Sequence, residues 1–432
     1  MPDTQTPLRL PPLPQPGHPL LIGFSGGLDS TVLLQLLASD PSMRRAGLRA
    51  LHIHHGLHAN ADAWAAHCER ECAALGIALQ VAHVEVDRAS GLGIEGAARA
   101  ARHRAFAQGL GEGEILVLAH HRDDQAETFL LRALRGSGVD GLAAMRPWRA
   151  YQRGWLWRPL LGIARADLHE HAVAHGLHWI EDPGNADIGF DRNFLRNEVM
   201  PLLRQRWPHA ADSFARSAAL SAQASDLLDL DDASALLHAM RDERTLDADA
   251  LKAIPHPRRA RVLRRWIEGL GLPPLPGNGI ARIEAELLHA AHDAEARFDW
   301  GGARVQRWRH LLHAQAIRAP LPADWSQYWD GSRALALPSG DSLELLGAER
   351  FDAPLRAHAR HGGERIRLPD RTHRHALKQV LQDRGIPPWQ RARLPLLSDG
   401  EELLAAGDVI LSARLDAWLR ARGARLHWNA LA

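Results

Sequence analysis

The first half of the chain alternates short apolar runs with segments whose apolar residues recur every three or four positions, and few architectures accept that rhythm. The runs are Leu20 to Phe24, Leu48 to Ile53, Ala78 to Val86, Ile115 to Ala119 and Trp155 to Trp157. Between them lie helical patterns from Ser30 to Ala38, Ala61 to Leu75, Ile94 to Leu110 and Asp123 to Leu134. Alternation of this kind predicts an α/β fold in which a Rossmann-like parallel sheet is covered by helices on both faces. Ligands of such sheets bind beyond the carboxyl ends of the strands, so the chemistry is sought in the loops that follow them.

A chain of 432 residues exceeds one ordinary core and predicts two or three domains. After Arg204 the strand signals fade and helical patterns run to His289, broken by Gly271 to Gly279. Alternation returns at Phe298 to Trp300 and Val305 to Trp308, and Pro320 to Trp329 has the composition of a linker. The expected organisation is a loose tail over 1–19, an α/β domain over 20–215, a helical middle domain over 216–330 and a small mixed α/β domain over 345–432.

Cys68 and Cys72 are the only cysteines, and their spacing within an Ala-rich helical pattern reads as core or surface thiols rather than a redox or zinc pair. The reducing cytoplasm is the expected compartment. No apolar run approaches the roughly 18 residues of a membrane span, so no membrane is expected as a partner. Net charge is only +1, but charge is segregated: Asp226 to Asp249 is acidic, and the segment from Arg350 onward is richer in Lys and Arg than in Asp and Glu.

The first strand runs straight into Ser25-Gly26-Gly27-Leu28-Asp29-Ser30, and a helix follows at once. Two glycines let the backbone turn sharply and bring its N–H groups to an anion, while Ser25 and Ser30 add hydroxyl donors at a helix N-terminus. Asp29 would repel phosphate unless a cation lay between, which assigns it to Mg²⁺. A Gly-Gly turn with Ser30 as a cap would read similarly, and no Walker A sequence is present.

The fourth strand ends in His120-His121-Arg122-Asp123-Asp124-Gln125-Ala126-Glu127-Thr128. Asp123 or Asp124 could simply cap the next helix, but His120, Asp124 and Glu127 fall on one side of its first turns, aimed at the crevice of the phosphate loop. Glu95, Arg99 and Arg102 share a helix face that would also suit a surface ion pair. His52, His54 and His55 end strand two; with no cysteine nearby to complete a tetrahedron, they do not read as a metal site. Arg258, Arg261 and Arg265 share one face of a later helix, as a phosphate-tracking surface or a solvated helix would.

Strand, Ser-Gly-Gly-x-Asp-Ser and helix together resemble the PP-loop of ATP pyrophosphatases, which cleave ATP between its α and β phosphates. Within that superfamily the ordered set of His55-Gly56-Leu57, the His120 to Thr128 run, Arg135-Gly136-Ser137-Gly138, Arg158-Pro159-Leu160-Leu161, Glu181-Asp182-Pro183-Gly184-Asn185 and Asp191 to Asn197 is similar to the tRNA(Ile)-lysidine synthetase family. Gly362 to Arg367, Leu377-Lys378 and Ile386 to Arg391 resemble its C-terminal domain.

The resemblance implies ATP and Mg²⁺ as cofactors, with tRNA(Ile) bearing a CAU anticodon and free L-lysine as partners. It implies ligation of lysine to C2 of the wobble cytidine through a base adenylate. Asp29, Asp124, Glu127 and Arg192 become catalytic candidates, Ser25 to Ser30 the ATP loop, and His55, Arg99, His120, Asp124, Glu127 and Arg196 contacts for base or lysine. Arg258, Arg261 and Arg265 become candidates for tRNA phosphates, and a homodimer is compatible with this reading. A PP-loop tRNA thiolase and a non-catalytic nucleotide- or RNA-binding module are the alternatives; the former generally needs cysteine pairs, and the latter does not need the acids.

Overall fold

The computed structural model describes residues 8–87, 89, 93–289, 296–369 and 371–430, with the side chain of Glu95 outside the description. The chain divides into two compact units, Met1–Asp229 and Leu230–Ala432. The division falls inside one continuous helix, Ala210–Ala239, which also contains the position where the sequence suggests a boundary.

Unit one is built on a six-stranded sheet in the order β3-β2-β1-β4-β6-β5. Its strands are β1 (Leu20–Gly23), β2 (Leu48–His54), β3 (Ala78–His83), β4 (Ile115–Val117), β5 (Trp148–Tyr151) and β6 (Gly154–Trp157). The first four and β6 run parallel, and β5 returns antiparallel along β6 at the edge. Strand β5 is absent from the sequence reading because Trp-Arg-Ala-Tyr is short, follows a proline and lacks the apolar run of its neighbours.

Successive side chains of a strand point to opposite faces, and β1 shows what that does to a run without polar residues. Leu20 and Ile22 pack with Val32, Leu33, Leu37, Val117 and Trp157 on one side, while Leu21 meets Leu51, Phe106, Leu110 and Leu116 on the other. Each fully buried aliphatic side chain contributes about 1.5–3 kcal/mol relative to exposure, so the central strands anchor the unit. Leu33→Ala would cost about 2–5 kcal/mol through lost burial and the cavity left behind.

Strand β1 has β2 on one side and β4 on the other, so the chain winds away from β1 in opposite directions. The crevice at that reversal lies beyond the carboxyl ends of β1 and β4. The Ser25–Ser30 turn follows β1, and the His120–Glu127 run follows β4.

Unit two joins helices to more sheet than the sequence reading of a helical middle domain provides. Helix His256–Gly269 packs Val262, Leu263, Trp266 and Ile267 against Leu246, Phe298, Val305 and Leu312 of a five-stranded antiparallel sheet. Two of those strands span only three residues each, Met240–Asp242 and Thr245–Asp247, too short to show a period. Further on, a seven-stranded and a three-stranded sheet carry helices Leu377–Asp383 and Ala413–Arg422. No helix among the described residues is long and apolar enough to cross a membrane.

Candidate active site

The turn after β1 has little freedom. Gly26 has φ of +79°, and a Cβ there would come within 2.6 Å of Ile180 Cδ1 and 2.9 Å of Cys68 Sγ, so both the dihedral and the space require glycine. Its carbonyl accepts the Ile180 N–H at 2.8 Å, which ties the loop to the residue preceding the Glu181–Asn185 motif. Ser25 Oγ and Ser30 Oγ lie 3.0 Å apart, and Ser30 Oγ–H donates to the Gly27 carbonyl at 3.0 Å. Helix Leu28–Ser39 begins at Gly27 with no side-chain cap, so its first amides point outward with the positive end of the helix dipole. Such a terminus receives phosphate.

Asp29 sits in the first turn of that helix. Its Oδ2 is 3.5 Å from His121 Nε2, whereas Oδ1 is buried without a hydrogen-bond partner. Among the described residues no group of three or more His, Cys, Asp or Glu could hold a metal alone. Mg²⁺ needs no such cage, since it commonly takes one or two carboxylates together with substrate phosphates and water. A buried carboxylate oxygen without a partner, beside an anion-binding turn, fits a cation shared with phosphate.

Across the crevice, His121 caps helix Arg122–Leu134: its Nδ1 accepts the Asp124 N–H at 3.4 Å, and its own N–H donates to Asp124 Oδ2 at 3.1 Å. Steps of three place Asp124 and Glu127 together, 8% and 1% exposed. Neither is left bare. Arg192 donates from Nε to Glu127 Oε2 at 2.8 Å and from its terminal nitrogen to Asp124 Oδ1 at 3.0 Å. Arg196 donates to Glu127 Oε1 at 2.7 Å, to Glu127 Oε2 at 2.9 Å and to Asp124 Oδ1 at 2.8 Å.

The segment bearing the two arginines is shaped for that grip. Helix Asp191–Phe194 passes through a π-helical turn at Leu195–Val199 into helix Met200–Arg206. Asn193 and Asn197, each one residue beyond an arginine, tie the segment down: Asn193 Nδ2 donates to the Gly184 and Asp187 carbonyls, and Asn197 Nδ2 to that of Asn185. The Glu181–Asn185 and Asp191–Asn197 motifs are therefore one structure, held to the phosphate loop through Ile180 and to the acids through Arg192 and Arg196.

The electrostatics follow from this packing. Burial favours a neutral Asp124, but His121, Arg192, His120 and Arg196 outweigh it and lower the carboxyl to about 2. His121 is lowered by burial, yet its contact with Asp29 and the charges of Asp124, Asp29 and Asp123 raise it above the ordinary imidazole value. His120 goes the other way: burial, opposed by Asp124 and reinforced by Arg158, pushes it down to about 3. It receives Arg158 Nε–H on Nδ1 at 3.3 Å, which places Arg158 of the Arg158–Leu161 motif beside the crevice. Burial lowers Arg158 to about 10, with the charges of Arg149, Arg99 and Arg132 adding to the effect.

The sequence candidates distribute unevenly. Ser25 to Ser30, His120, Asp124, Glu127, Arg192 and Arg196 converge on the crevice. His55, at the end of β2, stands apart beside Arg102; burial and that charge lower it to about 4, and its Nδ1 is buried without a partner. Arg99 is exposed on helix Gly93–Gly109, while the side chain of Glu95, from the same predicted trio, lies outside the described residues. His121 carries no role in the sequence reading, and its adjacency to His120 in the motif was the available signal.

Two of the three arginines of the expected phosphate-tracking face in unit two, Arg258 and Arg261, pair with acids of the protein. Arg258 reaches Asp231 at 2.7 Å and Asp232 at 3.3 Å, and Arg261 reaches Asp232 at 2.5 Å. Helix Ala210–Ala239 brings the acidic stretch against these arginines, so their charge is largely spent within the protein. Cys68 and Cys72 are free and buried, and burial pushes their thiols up to about 12 and about 11.

Comparison with known proteins agrees along the chain. The family model described as a PP-loop domain matches residues 5–203, the TilS substrate binding domain 246–313 and the TilS substrate C-terminal domain 355–428. The chain is 56% identical over 431 residues to a tRNA(Ile)-lysidine synthase of Xanthomonas axonopodis pv. citri, covering 99% of this chain and 97% of that protein. A tRNA(Ile)-lysidine synthase of Xylella fastidiosa (strain Temecula1) is 53% identical over 424 residues, with 97% of each chain covered. One of Shigella flexneri is 41% identical over 410 residues, covering 91% of this chain and 92% of its own.

Proposed function

Because the chain belongs to the tRNA(Ile)-lysidine synthase family, and so forms lysidine in tRNA(Ile) at the expense of ATP, we propose how the residues of its crevice divide that work. The substrates in this reading are ATP, free L-lysine and the wobble cytidine of a tRNA(Ile) with a CAU anticodon. In the first step the cytosine O2 attacks the α-phosphorus and pyrophosphate departs. In the second the lysine ε-amine, its ammonium proton first lost to water, attacks C2, and the C2–O2 bond breaks with AMP carrying the oxygen away.

The observation that carries the proposal is the continuity from Asp29 through His121 and Asp124 to Arg192 and Arg196. It joins a phosphate-binding turn to a paired carboxylate and guanidinium cluster, which is what transfer of a nucleotidyl group to a second substrate requires. The amides at the start of helix Leu28–Ser39 and the hydroxyls of Ser25 and Ser30 cradle the phosphates. Asp29 would hold Mg²⁺ through its buried Oδ1; that ion, when bound, offsets phosphate charge.

Asp124 and Glu127 divide differently from a simple acid–base pair. An ammonium of pKa about 10.4 gains nothing by passing its proton to a carboxyl held at about 2, so Asp124 acts as a fixed negative charge that orients the lysine head group. Glu127, with both oxygens on guanidinium groups, keeps Arg192 and Arg196 aimed. The arginines remain partly exposed, 21% and 28% at the side chain, and would stabilise charge developing on the adenylated base and the departing AMP. The domain division over 20–215, 216–330 and 345–432 assigns catalysis to the first region and tRNA contacts to the other two.

The test is incubation of the purified chain with ATP, Mg²⁺, labelled lysine and unmodified transcripts. Label should enter one nucleoside of the CAU-bearing isoleucine transcript, with pyrophosphate release dependent on that RNA. Pyrophosphate release unaffected by omitting the transcript, or label in no nucleoside, would overturn the reading.

A further inference from the structure

His121 has two nitrogens with two tasks, and capping accounts for only one. Nδ1 accepts the Asp124 N–H at 3.4 Å, which seals the start of helix Arg122–Leu134. Nε2 carries a hydrogen both in the tautomer that leaves Nδ1 as acceptor and in the imidazolium, and that nitrogen faces Asp29 Oδ2 at 3.5 Å and Asp124 Oδ2 at 3.4 Å. The ring is 1% exposed and cannot swing away. Asp29 therefore has one oxygen turned to His121 and the other, Oδ1, buried without a partner. A cap alone needs no second nitrogen aimed at a carboxylate on another helix.

We propose that His121 is a positioning residue for the nucleotide-bound cation: through Nε2 it fixes the Asp29 carboxylate so that Oδ1 faces the phosphates, and it ties that orientation to Asp124. Carboxylates that ligate metals are themselves hydrogen-bonded by outer partners, whose loss typically costs about 10–100-fold in metal affinity. The inference rests on Asp29 being the cation's carboxylate, and extends it by naming what aims that group. It also explains why Asp29 and the Asp124–Glu127 cluster are linked by a buried imidazole. Binding the first substrate and orienting the second then share one rigid element.

Two substitutions separate the tasks. His121→Asn keeps a side-chain acceptor near Nδ1 and is a strong N-cap, but has no atom at the position of Nε2. His121→Gln places an amide nitrogen near the position of Nε2 and gives up the cap. The measurement is ATP binding by the full chain, titrated calorimetrically in EDTA and again in Mg²⁺, with thermal stability followed alongside. For the unaltered protein, Mg²⁺ should strengthen ATP binding. His121→Asn should lose about tenfold or more of that strengthening while keeping its affinity for metal-free ATP and its melting temperature. His121→Gln should keep most of the strengthening despite a lower melting temperature.

Full Mg²⁺ strengthening in His121→Asn would overturn the inference, as would equal loss in both variants in proportion to their stability. Asp29→Ala measured in parallel distinguishes the levels. If Asp29→Ala loses the strengthening and His121→Asn retains it, the positioning role fails alone. If Asp29→Ala retains it, the cation assignment fails and takes the positioning role with it.

Discussion

Arg196 lies across both acids of the crevice but makes its closest contact with Glu127, Nε to Oε1 at 2.7 Å, and Glu127 is 1% exposed. A carboxylate so placed is half of a buried ion pair, and removing one half leaves charge uncompensated in a poor solvent. Glu127→Gln should destabilise unit one by about 3 kcal/mol in chemical denaturation and lower turnover at the same time. A neutral effect on stability would mean that the guanidinium groups find water in place of Glu127.

Asp29 should separate stability from chemistry. Its side chain is 30% exposed and its Oδ1 satisfies nothing within the protein, so Asp29→Ala should leave the melting temperature within about 2 °C while reducing lysine incorporation by at least about 100-fold. Comparable activity in the variant would remove the carboxylate from the site.

Asp124 sets a pH limit. Its folded-state pKa of about 2 lies below the ordinary 3.8, so it stabilises the fold fully above that ordinary value and progressively less as pH falls from about 4 towards about 2. Denaturation midpoints measured across that window should fall more steeply for the unaltered chain than for Asp124→Asn. Parallel curves would show that Asp124 is not held in its charged form by Arg192 and His121.

Salt dependence probes the arginine-bearing helix of unit two. An arginine that displaces counterions from RNA lowers the salt slope of binding by about one when it is removed. Because Arg258 and Arg261 are paired with Asp231 and Asp232, the double alanine variant should leave the slope of tRNA binding unchanged. A fall of about two would return that helix to the RNA interface.

The two thiols provide the contrast with sulfur transfer. Buried and held at about 12 and about 11, Cys68 and Cys72 stay protonated near neutral pH and resist alkylation. Replacing both by alanine should preserve lysidine formation in whatever fraction remains folded, measured as activity per folded molecule. Loss of all activity in folded protein would reopen the thiolase reading.

What could be read in advance follows from the range of the forces involved. Strands β1, β2 and β4 are legible because burial on both faces demands an unbroken apolar run, and the glycine turn because a left-handed dihedral demands Gly26. Asp124 and Glu127 could be placed on one helix face from their spacing. Their partners could not, since Arg192 and Arg196 come from 65 to 72 residues away through a π-helical turn that no local preference announces. The acidic partners of Arg258 and Arg261 are hidden for the same reason: the acidic stretch is plain in the sequence, but its folding back onto that helix is a tertiary event.

Every role assigned to this crevice depends on transfer of the α-phosphorus of ATP to the O2 oxygen of a cytosine. A transcript carrying ¹⁸O at O2 of the wobble cytidine tests it directly by mass spectrometry of the AMP released in a single turnover. One ¹⁸O is expected in the phosphate of AMP and none in pyrophosphate. AMP free of ¹⁸O, with lysidine nevertheless formed, would contradict it.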